Sequence, residues 1–126
     1  MAEAPLDDIL KIEELSVSFY TPRGEIEAVR NVSLRVHRAE ILAIVGESGS
    51  GKSVLCKSIM KMLPDIAGIR SGRIIAEGRD ITSFSEKEMR KLRGSFFSMV
   101  FQNPMTVMDP TYSVGAQIAE ALRVHD

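Results

Sequence analysis

The 126-residue chain has a single cysteine, a formal net charge of -1 and no apolar run near the roughly 20 residues that span a bilayer. Each scarcity excludes something. One thiol leaves no internal disulfide framework, and Cys56 reads as a small apolar residue facing a sheet, with an alkylatable thiol beside a bound ligand as the sharper alternative. No Lys/Arg run exceeds two neighbours, so the basic footprint of a nucleic-acid partner is missing. The start MAEAPLDD is acidic and lacks the basic segment of a secretory signal. The chain is therefore expected to stay in the cytosol and to reach a membrane only through a partner. His37 and His125 lie too far apart for a local metal motif and read as surface residues. There is no internal repeat or low-complexity tract. What remains is ordinary globular composition, 44% hydrophobic and 26% charged, at the length of about one domain.

Against that plain background, residues 41–53 read ILAIVGESGSGKS. A short apolar run, Ile41 to Val45, has the pattern of a buried parallel strand. It leads into Gly46-Glu47-Ser48-Gly49-Ser50-Gly51-Lys52-Ser53, which fits the phosphate-binding-loop fingerprint. Glycines let the chain take positive φ and approach a ligand without an intervening Cβ, so successive backbone N–H groups form an anion-binding nest. A helix opening near Gly51 adds unpaired N–H donors, including that of Val54, and the positive end of its dipole. Lys52 is suited to the β- and γ-phosphates as a point charge. Ser53 offers a hydroxyl to Mg²⁺, a hard cation that takes oxygen ligands. The bland alternative is a glycine-rich strand-to-helix turn without a ligand.

Around the loop, Leu15, Val17 and Phe19 alternate with polar residues, as do Val32, Leu34 and Val36, which predicts two half-buried strands joined through the turn Thr21-Pro22-Arg23-Gly24. This order predicts an antiparallel layer beside a parallel core. After the loop, Val54, Leu55, Ser58, Ile59 and Met62 share a helical face, and Pro64 ends the helix after about three turns. Asp65 to Gly72 reads as a loop, Arg73 to Ala76 as a short strand closing at Gly78, and Ser85-x-x-Glu88 as a capping box opening a helix that Gly94 stops. Phe96 to Phe101 reads as another inner strand. Val114, Ile118, Ala121 and Leu122 mark a last helix. Met89, Met99, Met105 and Met108 serve either as core filling or as an adaptable contact surface.

The segment FQNPMTVMDPTYSVGAQIAEAL, about fifty residues past Lys52, strongly resembles the Q-loop and following helix of ATP-binding-cassette (ABC) import subunits. Together with GESGSGKSV and LSVSFYTPRGEIEAV, it is most similar to the ATPases of dipeptide, oligopeptide and nickel importers. The resemblance covers essentially the whole chain. It implies a P-loop α/β cassette with a parallel core and an N-terminal antiparallel β-layer. It implies ATP and Mg²⁺ as cofactors, with Gly46 to Ser53 and Val54 on the phosphates. Phe19 takes the place of the adenine-stacking aromatic, with Tyr20 as the fallback. Gln102 takes the place of the glutamine that reaches Mg²⁺ and the attacking water, so Lys52 and Gln102 belong to the catalytic apparatus and Ser53 and Gln102 to the metal site. The implied partners are transmembrane permease subunits and a second ATPase subunit at the cytoplasmic face of a bacterial inner membrane, with no nucleic acid.

The chain departs from the family at Ala39-Glu40, where Gly-Glu is usual, at Gln102-Asn103-Pro104 for Gln-Asp-Pro, and at Met108-Asp109-Pro110 for Leu-Asn-Pro. The larger departure is the lack of the signature helix, of the Walker B strand with its catalytic Glu, and of the switch histidine. The chain therefore reads as the N-terminal part of a cassette. Residues 1–101 are expected to form the core with the antiparallel layer, and 102–126 the Q-loop and the start of the helical subdomain. Nucleotide binding is expected to be weak and hydrolysis negligible for this polypeptide alone, with self-association through exposed sheet edges. The alternative is a non-catalytic nucleotide-binding or regulatory fragment.

Overall fold

A computed structural model describes residues 7–125. The chain divides into two compact units, Met1–Phe84 and Ser85–Asp126.

The first unit is organised by an antiparallel hairpin, β1 (Asp8–Thr21) and β2 (Gly24–His37). Its turn holds Pro22, which presets φ, and the Thr21 hydroxyl accepts from the Arg23 N–H at 3.3 Å while donating to the Gly24 carbonyl at 2.9 Å. Each strand is 14 residues long, far more than the alternating stretches suggest. The extra length is hidden because Glu14 and Asn31 both sit at φ 47° beside shifts of register. Such bulges reset the two-residue alternation. Serine hydroxyls take over where the ladder breaks: the Glu14 N–H donates to Ser33 Oγ and the Asn31 N–H to Ser16 Oγ, both at 2.9 Å.

β3 (Ala67–Ala76) pairs with the opposite edge of β1, and β4 (Arg79–Asp80) pairs with β3, giving an antiparallel sheet in the order β2-β1-β3-β4. The expected loop from Asp65 to Gly72 is thus strand from Ala67 onward. Of its two glycines, Gly72 serves close approach instead of a turn. Gly72 has φ 90°, and a Cβ there would lie 2.4 Å from the Glu14 carbonyl oxygen and 2.5 Å from Leu15 Cα. The inner face buries Ile12, Leu15 and Val17 of β1, Val29 of β2, and Ile74 and Ala76 of β3.

α1 (Lys52–Ile59) also ends earlier than Pro64 implies. Lys61 takes φ 51°, its N–H bonds the Ser58 carbonyl at 3.2 Å, and the Met62 N–H bonds the Lys57 carbonyl at 2.9 Å. That pair of bonds is a Schellman closure, formed with lysine at the position glycine usually takes. Of the expected helical face, Leu55 and Ser58 are buried, whereas Met62 is exposed.

Among the described residues no parallel core strand is formed. Residues 41–45 carry no strand and, among the described residues, no backbone hydrogen bond; Ile41 is 97% and Val45 92% exposed. Phe96 to Phe101 holds only an isolated bridge, Arg93 with Phe97, and Val100 is 97% exposed. The physical reason is pairing. An inner strand needs a hydrogen-bonded neighbour on each edge, and no described residue supplies one to either run. Apolar composition alone does not make a strand.

The second unit opens as the sequence predicts. Ser85 caps α2 (Glu86–Leu92) in a reciprocal box: the Glu88 N–H donates to Ser85 Oγ at 3.2 Å, and the Ser85 N–H to Glu88 Oε2 at 2.6 Å. Met89 is fully buried. Gly94 reverses the chain at φ 87°, and Phe96 meets Phe97 edge to face at 4.7 Å. A 3₁₀ turn (Pro104–Thr106) and α3 (Val114–His125) follow. Val114, Ile118 and Leu122 of α3 are all exposed, as are Met105 and Met108.

The close approach at Gly72 yields a test. Gly72→Ala must push against backbone and also hold a left-handed conformation, so a loss of about 2–4 kcal/mol is expected. Gly78→Ala shares the positive φ, 78°, but meets nothing within 4 Å; its expected loss is about 1–2 kcal/mol. Urea denaturation of the two variants measures the difference.

Candidate functional site

The loop from Gly46 to Ser53 lies in the first unit, between the unpaired run and α1. Its bend is local: the Ser50 N–H bonds the Glu47 carbonyl at 3.1 Å, and Gly49 and Gly51 take φ 81° and 95°. Gly51 is the N-cap of α1 and brings no capping side chain, and the first turn holds no acid. The first bond of the helix runs from the Leu55 N–H to the Gly51 carbonyl at 2.9 Å. The N–H groups of Lys52, Ser53 and Val54 therefore have no partner inside the helix. These donors, with the positive end of the helix dipole, suit an anion.

Backing the loop is the edge of the hairpin. A Cβ on Gly51 would sit 2.5 Å from the Ala28 carbonyl oxygen and 3.6 Å from Val29 Cγ2. The helix start thus rests directly on β2 backbone, which is why this position needs glycine on two grounds, space and φ. Next to it lies a cavity of about 480 Å³ lined by Val29, Val32, Leu34, Ile44, Val45 and Leu55 together with Ser50, Gly51 and Lys52.

Lys52 turns back over the loop. Its ammonium donates to the carbonyls of Gly46 at 2.5 Å and Glu47 at 2.7 Å and to Ser50 Oγ at 3.1 Å. A positive charge is thereby held over the glycine-rich bend. Ser53 is exposed at the helix start, Glu47 and Ser48 are exposed, and Val54 is half-buried. Phe19 is half-buried on β1, opposite Ile26 and Ala67, while Tyr20 is 52% exposed and the more open of the two rings.

Gln102 belongs to the second unit, where it is exposed. The turn beyond it is organised by Asn103, whose carbonyl accepts from the Thr106 hydroxyl at 2.9 Å. Further along, Asp109 Oδ1 accepts from the Thr111 hydroxyl at 2.6 Å and the Thr111 N–H at 2.8 Å. Those two bonds, the hydroxyl's first, hold the carboxyl below its ordinary range. Gln117 ties the same loop to α3: its Oε1 accepts from the Asp109 N–H at 2.9 Å and its Nε2 donates to the Asp109 carbonyl at 2.8 Å. Sequence reasoning missed Gln117 and the Ala28 carbonyl, and no sequence signal marks either. Among the described residues no group of three or more His, Cys, Asp or Glu side chains could hold a metal.

An uncapped helix start carrying a lysine over a glycine bend, backed by an antiparallel layer, defines a P-loop nucleotide-binding cassette. The ABC transporter family matches residues 29–125, and the chain belongs to that family. The oligopeptide transport ATP-binding protein OppD of Bacillus subtilis (strain 168) is 47% identical over 119 residues, covering 94% of this chain and 33% of that protein. The dipeptide transport ATP-binding protein DppD of the same organism is 47% identical over 121 residues, covering 95% and 36%. This chain therefore spans about a third of the length of these relatives. The dimeric structure of MJ0796, a bacterial ABC transporter cassette, superposes with a TM-score of 0.81 over 93% of this chain and 48% of that one. Its 21% identity bears on the fold alone. The cbiO1 protein of Clostridium perfringens, part of the ABC transporter complex cbiONQ, is 32% identical with a TM-score of 0.55 over 70% of this chain and 33% of that one. The cassette class expected from the sequence is the fold of the family.

The contact between loop and hairpin is testable. Gly51→Ala must separate α1 from Ala28, so it is expected to lower stability by about 2–4 kcal/mol. Gly49→Ala, with open space at its Cβ, is expected to cost about 1–2 kcal/mol. Thermal unfolding of both proteins checks the order.

Proposed function

We propose that this chain is the nucleotide-gripping N-terminal part of the ATP-binding subunit of a bacterial importer for peptides or a related solute. The observation that carries the reading is the Lys52 ammonium poised over the loop at an uncapped helix start. Relatives named as oligopeptide and dipeptide transport ATP-binding proteins, at 47% identity, support the solute class. Triphosphate is gripped by backbone N–H groups from Gly46 to Val54 and by Lys52. Mg²⁺ would supply charge neutralisation at the phosphates, and Ser53 would hold it with its hydroxyl; the family resemblance alone gives Gln102 of the second unit the same role. Phe19, or Tyr20 in its place, gives adenine a π-face.

The complete subunit hydrolyses ATP at the cytoplasmic face of the inner membrane, paired with a second ATPase subunit and with permease subunits. No helix among the described residues is long and apolar enough to cross a membrane, which agrees with a peripheral place. Phosphoryl transfer depends on positioning and charge stabilisation. These residues furnish charge and grip but no general base, so the 126-residue chain alone binds Mg·ATP weakly and turns it over negligibly.

Calorimetry with Mg·ATP tests the grip. Removing a charge-assisted donor in Lys52→Ala is expected to weaken binding about tenfold or more. Unchanged binding by Lys52→Ala defeats the proposal, and so does turnover by this chain equal to that of an intact cassette.

The uncovered run from Ile41 to Val45 has high β-propensity, no charge and no proline, the profile of a segment that seeks a partner strand. Self-association of the chain follows from it. Light scattering across concentrations is expected to show masses above the monomer, and the double variant Ile41→Lys, Val45→Lys to bring them down. A wild-type mass that stays monomeric at every concentration refutes this.

A further inference from the structure

We propose that Ser50 is a positioning residue that acts on the nucleotide through Lys52; the proposal rests on the function proposed above. An ammonium has three N–H donors, and those of Lys52 meet three acceptors in the loop: the Gly46 carbonyl, the Glu47 carbonyl and Ser50 Oγ. Two of these are main-chain atoms that any residue would supply. The Ser50 hydroxyl is the acceptor that depends on the side chain.

A second, independent feature is built around the same hydroxyl. A Cβ on Gly46 would lie 2.6 Å from Ser50 Oγ and 3.6 Å from Lys52 Nζ, and Gly46 needs no positive φ. A side chain there would displace the Ser50 hydroxyl, which occupies that space. Gly46 and Ser50 together make the pocket in which the ammonium sits.

The loop thus holds its own cation in place. The Ser50 bond, at 3.1 Å, is the longest of the three, and a hydroxyl rotates freely between accepting and donating. An arriving phosphate oxygen replaces Ser50 at the ammonium while the two shorter carbonyl bonds stay. Because the lysine is ordered before the ligand arrives, binding does not bear the full cost of immobilising it.

Two measurements on the full 126-residue chain decide the matter. In ¹⁵N-lysine-labelled, nucleotide-free protein, the Lys52 ammonium is expected to give a slowly exchanging proton signal. Ser50→Ala and Gly46→Ala each lose it, and Ser50→Thr keeps it. A signal that persists in Ser50→Ala overturns the proposal. In calorimetry with Mg·ATP, Ser50→Ala is expected to weaken binding about three- to tenfold when Lys52 is present and to have no effect in a Lys52→Ala background. An equal loss in both backgrounds also overturns it, since Ser50 would then touch the nucleotide directly. Circular dichroism establishes that the variants remain folded. Absence of nucleotide binding by the unaltered chain would count against the function proposed above, whereas the ammonium signal still decides the role of Ser50.

Discussion

β1 is the strand on which the first unit depends, because it has long hydrogen-bonded partners on both edges, β2 on one side and β3 on the other. Backbone polar groups on both of its edges are satisfied, and its side chains Ile12, Leu15 and Val17 form the middle of the core. Everything around it is arranged to keep that double pairing through an irregular stretch. Glu14 and Asn31 adopt left-handed conformations, Gly72 gives up its side chain, and Ser16 and Ser33 accept the N–H groups that the ladder leaves behind. A group buried without a partner costs about 1–3 kcal/mol, so these substitutes are what allow two bulged pairings to share one strand.

The hairpin then sets the floor of the phosphate loop. Contact between Gly51 and the Ala28 carbonyl fixes where α1 begins, and with it where the free N–H groups lie. The remaining parts of the grip come from within the loop itself: Lys52 bonds to residues two, five and six positions away. Such short-range contacts need little chain closure to form. That is why the loop keeps its shape even though Ile41 to Val45, directly before it, has no sheet around it.

Legibility in the sequence followed the same division between local and distant causes. The capping box at Ser85, the turn at Pro22-Arg23 and the phosphate loop are specified by residues within a few positions of one another, and each is where the sequence put it. The bulged strands were only partly legible. Their alternation is broken at Glu14 and Asn31 by pairings that no local pattern encodes, and Gly72 reads as a turn when its reason is a neighbouring backbone. The early end of α1 at a Schellman closure was hidden because lysine, not glycine, holds the left-handed position. Ile41 to Val45 and Phe96 to Phe101 mark the opposite limit: an apolar pattern states which residues seek burial, but strand formation requires a partner that the pattern does not contain.

A division of labour within the cassette follows from these causes. Gripping phosphate requires donors, one cation and a backbone bend, all of which a dozen consecutive residues and one hairpin edge provide. Sheet closure requires strands brought together from far along a chain, and this chain spans about a third of the length of the relatives it matches. The apolar lining beside Lys52 is formed by Val29 and Leu55, which are buried, and by Val32 and Leu34, which are half-buried. It borders the glycine-rich loop that carries Lys52. An apolar lining next to the ammonium strengthens its attraction for an anion, since charges interact more strongly at low dielectric. Core packing and the placement of the Lys52 charge therefore meet at one surface.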